Sequence, residues 1–306
     1  MFYAIKESTT SDRKEHNMNL RDKSFIPYYI SAAMIIISSI ILVIVIAVTN
    51  NSKEPETVVT TTEPTTVFMN GEVPYYPDIP ASAYPTENFT YENGRIVYND
   101  NTVGYTTGID VSAFQGDIDW EAVAADGIDF AIIRVGLRGY GTSGNIYEDD
   151  NARKNIKNAA AAGLNVGVYF YSQAISTEEA LEEAEFVLDI IKDYEISAPV
   201  VFDWENEPDV AMRTDNLDGH TLTQCAVTFC ERIKQAGYMP AVYFNLTDAY
   251  VRYDLDKIKD YVFWYAQHEG ESPKFYYAYS IWQYSDTGKV DGIKGNVDLN
   301  ICFNMG

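Results

Sequence analysis

Positive charge is what this sequence has least of. Its 306 residues carry 22 Lys and Arg against 45 Asp and Glu, a formal net charge of -23. Nucleic-acid binding needs a basic footprint, so no nucleic-acid partner is expected. Cysteine is scarce: three residues form no disulfide framework. Cys225 and Cys230 fall on a predicted helix at a spacing that turns them to different faces, and Cys302 lies far along the chain, so free thiols are expected. Histidine is limited to His16, His220 and His268. They are scattered, with no metal-ligand spacing, and neither a metal nor another cofactor is expected. The same scatter disfavours a Ser or Cys nucleophile working with His, as in an amidase or esterase. No Gly-rich phosphate loop follows any apolar run.

Aromatic residues are plentiful, at 14% with 24 Tyr. They suit sugar-binding clefts and ordinary cores alike. Residues 1–24 are polar, with Lys6, Arg13, Lys14, Arg21 and Lys23. Residues 25–48 contain no charge and no polar face. As a helix, 28–48 would cover about 31 Å, one hydrocarbon thickness. A cleaved signal peptide has a shorter apolar region and a small-residue cleavage site, so an uncleaved transmembrane anchor is expected. Basic residues precede it and only Lys53 follows closely. The positive-inside rule puts 1–24 in the cytoplasm and the rest outside the cell membrane. Residues 49–87 are rich in Thr and Pro and read as an extended extracellular linker. The folded domain is expected over 88–306, and a hairpin at 89–98 that turns on Asn93-Gly94 either begins it or leads into it.

From Thr107 onward, short apolar runs alternate with helical segments. Eight candidate strands lie at 108–111, 130–135, 166–171, 199–203, 240–244, 262–266, 280–284 and 297–301. Helices are predicted at 151–162 before Gly163, at 176–193 behind a Ser176/Glu179 capping box, and at 221–236 before Gly237. This is the pattern of an α/β protein with a parallel (β/α) barrel, the last strands joined by plainer connections. An open doubly wound sheet is the alternative.

The stretch around which the barrel is organised is Pro199-Val200-Val201-Phe202-Asp203-Trp204-Glu205. The apolar run reads as a strand buried on both faces. Asp203 and Glu205, two apart, leave one face of it, with Cα atoms roughly 6.5–7 Å apart. Paired acids at the end of a buried strand are costly unless a cleft, ion or substrate uses them. A strand simply ending in solvated acids is the bland alternative. In a parallel barrel the working residues stand at the C-terminal strand ends. Those ends supply Asp110, Tyr169 and Tyr171, Asp203 and Glu205, Tyr243 and Asn245, Trp264, Gln283, and Asp298. Four acids interleaved with aromatics fit acid catalysis on a neutral, hydroxylated substrate better than a divalent metal site. Trp204, facing away from the acids, and Trp120 are expected in the core. Arg134 is left to pair with a cleft acid or a surface one.

Gly108-Ile109-Asp110-Val111-Ser112, Gln115-Gly116 and Ile118-Asp119-Trp120 resemble the opening of glycoside hydrolase family 25 lysozymes. Phe202-Asp203-Trp204-Glu205 resembles that family's paired-acid motif, and Trp282-Gln283-Tyr284 with Val297-Asp298 its closing motifs. The likeness runs in order from about Gly104 to Cys302. It implies a flattened barrel of eight strands with about five helices, and N-acetylmuramidase activity, cutting peptidoglycan after N-acetylmuramic acid. By match of motif Glu205 is the general acid, and Asp203, Asp110 and Asp298 are the other cleft acids. The strand ends then make Tyr169, Tyr171, Tyr243, Asn245, Trp264 and Gln283 candidate substrate contacts. One departure is His268, where the family usually places Tyr. A general acid must hold its proton near neutral pH, and a neighbouring carboxylate favours that. Asp203 could attack the anomeric carbon, hold a water or orient the substrate's N-acetyl group. The resemblance leans to the N-acetyl route, with retention. Peptidoglycan strands are the expected partner, and the chain is expected to be a monomer. A barrel that grips wall glycan without cutting it is the rival class, and the presence of Glu205 argues against it.

Overall fold

A computed structural model describes residues 66–68, 71–73, 75–206, 210–268 and 270–303. The expected tail, the span at 25–48 and about half of the linker lie outside the described residues. Among the described residues no helix is long and apolar enough to cross a membrane.

Two small hairpins precede the barrel. β1 (Thr66–Phe68) pairs antiparallel with β2 (Gly71–Val73), although that segment shows no strand period. β3 (Phe89–Glu92) and β4 (Arg95–Tyr98) form the expected hairpin. Asn93 and Gly94 both take positive φ, 52° and 83°, as a two-residue turn that matches strand twist requires. Between the hairpins the expected linker is packed rather than free. Ile79 is buried, Tyr75, Tyr76 and Tyr84 lie against the core, and Tyr84 stacks on Phe303 with ring centroids 3.9 Å apart.

The barrel strands are β5 (Tyr105–Val111), β6 (Phe130–Arg138), β8 (Asn165–Tyr171), β9 (Val200–Asp203), β10 (Pro240–Asn245), β11 (Val262–Ala266), β12 (Ile281–Gly288) and β13 (Val297–Phe303), and the β5–β6 pairing closes the ring. β7 (Ile146–Glu148) adds to the outside edge of β6. The barrel is not wholly parallel. β5, β6 and β8 through β12 run parallel, but β13 is antiparallel to both β12 and β5. No crossover helix separates β12 from β13, so the pair can only be a hairpin.

Six α-helices are described: α1 (Trp120–Ala125), α2 (Ala152–Ala161), α3 (Thr177–Ile191), α4 (Gly219–Gln235), α5 (Leu246–Val251) and α6 (Leu255–Ile258). In α3, Ser176 Oγ accepts from Glu179 N and opens the helix, while Glu178 and Glu179 favour its positive end. The capping box is displaced by one residue, because the Glu179 carboxylate accepts from Ile175 N. Ala180, Ala184, Val187 and Ile191 are buried and make one stripe at helical spacing. Burying Val187 or Ile191 stabilises by about 1.5–3 kcal/mol each, so a charge at either would undo the docking. Gly163 and Gly237, at φ 90° and 91°, end α2 and α4 as expected.

Alternation along the strands divides two cores. Val200 and Phe202 face outward, with Phe202 5.5 Å from Phe229 of α4. Val201 faces inward with Phe130, Ile132, Tyr243, Trp264 and Ile281. A Cβ at position 108 would stand 2.2 Å from the Phe130 ring, so only glycine lets that ring fill the barrel floor. All three cysteines are buried.

Candidate active site

The barrel's inward residues become polar near the C-terminal ends of its parallel strands. An open cleft of about 390 Å³ lies there, lined by Asp110, Asp203, Glu205 and Asp298 among others. Asp203 closes β9, in register with Tyr171 on one side and Tyr243 on the other. Glu205 follows it on the same side, while Trp204 between them is buried in the outer core. Asp298 reaches the mouth because β13 runs backwards. It sits at the start of its strand, opposite Asp110 at the end of β5.

Asp110 and Asp298 are hydrogen-bonded to each other. Asp110 Oδ2 also accepts from Gln283 Nε2 at 2.9 Å and from Asn300 Nδ2 at 2.8 Å. Burial pushes the Asp298 carboxyl up to about 9, and the charge and hydrogen bond of Asp110 push it the same way. Burial raises Asp110 as well, but the amides and Asp298 oppose that by donating to it. Two touching carboxyls share protons. The member with donors gives up its proton first, so Asp298 keeps the shared one.

Tyr169 and Tyr171 line the cleft; burial holds both hydroxyls protonated, reinforced by Asp110 at Tyr169 and by a hydrogen bond with Tyr140 and then the charge of Asp203 at Tyr171. The other four candidate contacts are placed differently. Tyr243, Trp264 and Gln283 are buried beneath the acids. Tyr243 donates to Gln283 Oε1 at 2.9 Å, and Trp264 Nε1 to Asn300 Oδ1 at 2.8 Å. Asn245 caps α5: its Oδ1 accepts from Asp248 N at 2.9 Å and its Nδ2 donates to Asp248 Oδ2 at 2.7 Å. Strand-end counting finds residues near a mouth but not whether a neighbour has already taken their polar atoms.

Other lining residues come from loops. Ser112 accepts from Phe114 N, and Gln115 Oε1 accepts from Ser112 N. This short cap turns Phe114 outward, 85% exposed. Arg134 stacks over its ring at 5.0 Å and pairs at 2.9 Å with Asp149, a buried carboxylate outside the cleft lining. Tyr140 packs edge-on against Tyr171. His268 lies exposed, its Nε2 2.8 Å from Gln283 Oε1.

The chain has relatives among known proteins. The model of glycosyl hydrolases family 25 matches residues 109–293. The chain belongs to this family. Curated relatives include an autolytic lysozyme of Clostridium acetobutylicum, 27% identical, with the match covering 63% of this chain and 54% of that protein. Lysozyme M1 of Streptomyces globisporus is 31% identical over 63% of this chain and 66% of its own. The chain thus spans between half and two thirds of the length of these relatives. Among solved structures, the modular autolysin LytC of Streptococcus pneumoniae, in complex with a synthetic peptidoglycan ligand, superposes with TM-score 0.57 at 26% identity, covering 70% of this chain and 52% of that one. A bacterial lysozyme from Streptomyces coelicolor gives TM-score 0.52 at 26% identity, over 67% and 94%. The eight-stranded barrel is therefore the family 25 fold.

Proposed function

We propose that the chain is a muramidase: it hydrolyses the glycosidic bond after N-acetylmuramic acid in peptidoglycan, with Glu205 as general acid. The observation that carries this reading is the opening of Asp203 and Glu205, from one strand end, onto the same cleft as Asp110 and Asp298. The lysozyme relatives support it. A glycosidic oxygen is a poor leaving group until protonated, and Glu205 supplies the proton. Asp203, buried at the strand end, stabilises the positive charge that develops on the sugar and orients the substrate's N-acetyl group to attack the anomeric carbon. Water then opens that intermediate with Glu205 as base, giving retention. Tyr169 and Tyr171 contact the sugars.

The chain is held at the cell membrane through residues 25–48, with the barrel outside. The long uncharged run with basic residues before it supports this orientation.

Mass spectrometry of digested peptidoglycan tests the activity. Fragments with reducing N-acetylmuramic acid ends are expected. Reducing N-acetylglucosamine ends, released stem peptides, or intact glycan would each overturn the reading. Proton NMR of the first product should show the retained β-anomer, and the α-anomer would rule out the N-acetyl route.

A further inference from the structure

The buried polar residues under the cleft form a connected set whose donors all point one way. Asn300 Oδ1 faces Trp264 Nε1, a group that can only donate. This fixes the amide, and its NH2 must face Asp110. Gln283 is placed by partners on both sides. Its Nε2 lies 2.9 Å from Asp110 Oδ2, and its Oε1 lies 2.9 Å from the Tyr243 hydroxyl, which donates to it, and 2.8 Å from His268 Nε2. The two amides thus aim two donors at one oxygen of Asp110. Asp298 sits against the charges of Asp286 and Glu205.

We propose that Gln283 and Asn300 are positioning residues that decide which member of the Asp110–Asp298 pair carries the proton, holding the charge on Asp110 and leaving Asp298 neutral. This rests on reading the cleft as a glycosidase site. Asp298 feels the charge of Glu205 directly, so a neutral Asp298 keeps one negative charge away from the general acid. The groups facing the pair are His268 and Asp286 at the rim, Asp203 and Glu205 across the cleft, and Tyr169 and Tyr243 from the neighbouring strands. Arg134 acts on the Tyr169 side. Both tyrosines stay neutral, so the two amides are the fixed neutral donors on Asp110.

The test is carbon-13 NMR titration of the Asp carboxyls in the full chain, alongside the pH profile of kcat/KM. In the wild type the pair should titrate in two separated steps, the upper one near 9 and belonging to Asp298. Gln283→Leu removes a donor from ionised Asp110. Hydrogen bonds to charged groups are strong enough that the lower step should rise by about one pH unit or more. The upper step should hardly move, since the lost donor served Asp110 both before and after that ionisation. The acid limb of kcat/KM should follow the lower step. A merely structural role would lower the whole profile without moving its limbs. The double variant His268→Ala/Tyr243→Phe keeps Gln283 but frees its amide to turn, and should reproduce the shift if Gln283→Leu fails to fold. Two carboxyls titrating independently in the ordinary range, or an unmoved lower step in both variants, overturns the proposal. A muramidase with unmoved steps refutes the amide assignment alone. Moved steps in a protein that cuts no glycan refute the functional reading alone.

Discussion

The buried carboxyl of Glu183 should make the stability of this protein depend on pH in a way that one substitution can isolate. Glu183 lies on α3 with its side chain fully buried. Its Oε1 accepts from Arg138 Nε at 2.7 Å and its Oε2 from Ser172 Oγ at 2.6 Å. Burial raises its pKa from the ordinary 4.5 to about 7, against the pull of both donors. The folded chain therefore keeps this proton up to about pH 7, whereas the unfolded chain loses it near 4.5. The stabilisation is complete below about pH 4.5, falls between 4.5 and 7, and is gone above that. At about 1.36 kcal/mol per pH unit, the loss across this window is about 3 kcal/mol. Glu183→Gln keeps the shape, leaves an oxygen for Arg138, and lets the Ser172 hydroxyl accept instead of donate. Urea unfolding of both proteins from pH 4.5 to 7.5 should give a stability difference that changes by about 3 kcal/mol over that range. Curves parallel to within about 0.5 kcal/mol would show that Glu183 ionises at an ordinary pH and that burial has been offset completely. Ser172, the hydroxyl partner of this carboxyl, also donates its N–H to the Asp203 carbonyl at 2.7 Å.

Glu205→Gln should lower turnover on peptidoglycan by about 10²–10⁴-fold while pull-down on insoluble wall still recovers the protein. The loss from Asp203→Asn should not add to it in the double variant, because both groups serve one transition state. Ile79→Ala should cost about 2–5 kcal/mol in denaturant unfolding, whereas deleting residues 49–62 should leave the midpoint in place; the opposite pattern would mean that 75–84 is not part of the folded unit. Protease added to intact cells should release the barrel, and a protected barrel with a digested N-terminus would reverse the proposed orientation.

The ring of strands and the two central acids are plain in the sequence because each rests on a local pattern. Val200, Val201 and Phe202 are apolar on both faces, and the pleat alone puts Asp203 and Glu205 together. The direction of β13 is not local. Val297 to Ile301 alternates the same way read forwards or backwards, and only the absent helix after β12 hints at a return. Asn300 was missed because a buried amide in mid-strand has no sequence signature; its importance comes from facing Asp110 across 190 residues. Asn245 misled for the opposite reason. It stands at a strand end, but three residues on lies Asp248, and that spacing is a helix cap as readily as a binding site. The packed strap at 75–84 looks like a linker because its Pro content hides Tyr75, Tyr76 and Ile79.

The backward run of β13 also settles where the barrel can be held. In an all-parallel barrel the first strand enters at the base and the last leaves at the mouth. Here Phe303 pairs with Tyr105, so the ring is entered and left on the same side, and Tyr84 lies against that exit. A handle fused ahead of the strap or after β13 would be attached at the base, leaving the acid mouth clear. For immobilised protein, coupling through either end should leave a long polymer free to thread across the opposite face, whereas coupling through the loops carrying Phe114 or Tyr140 would put the support in its path.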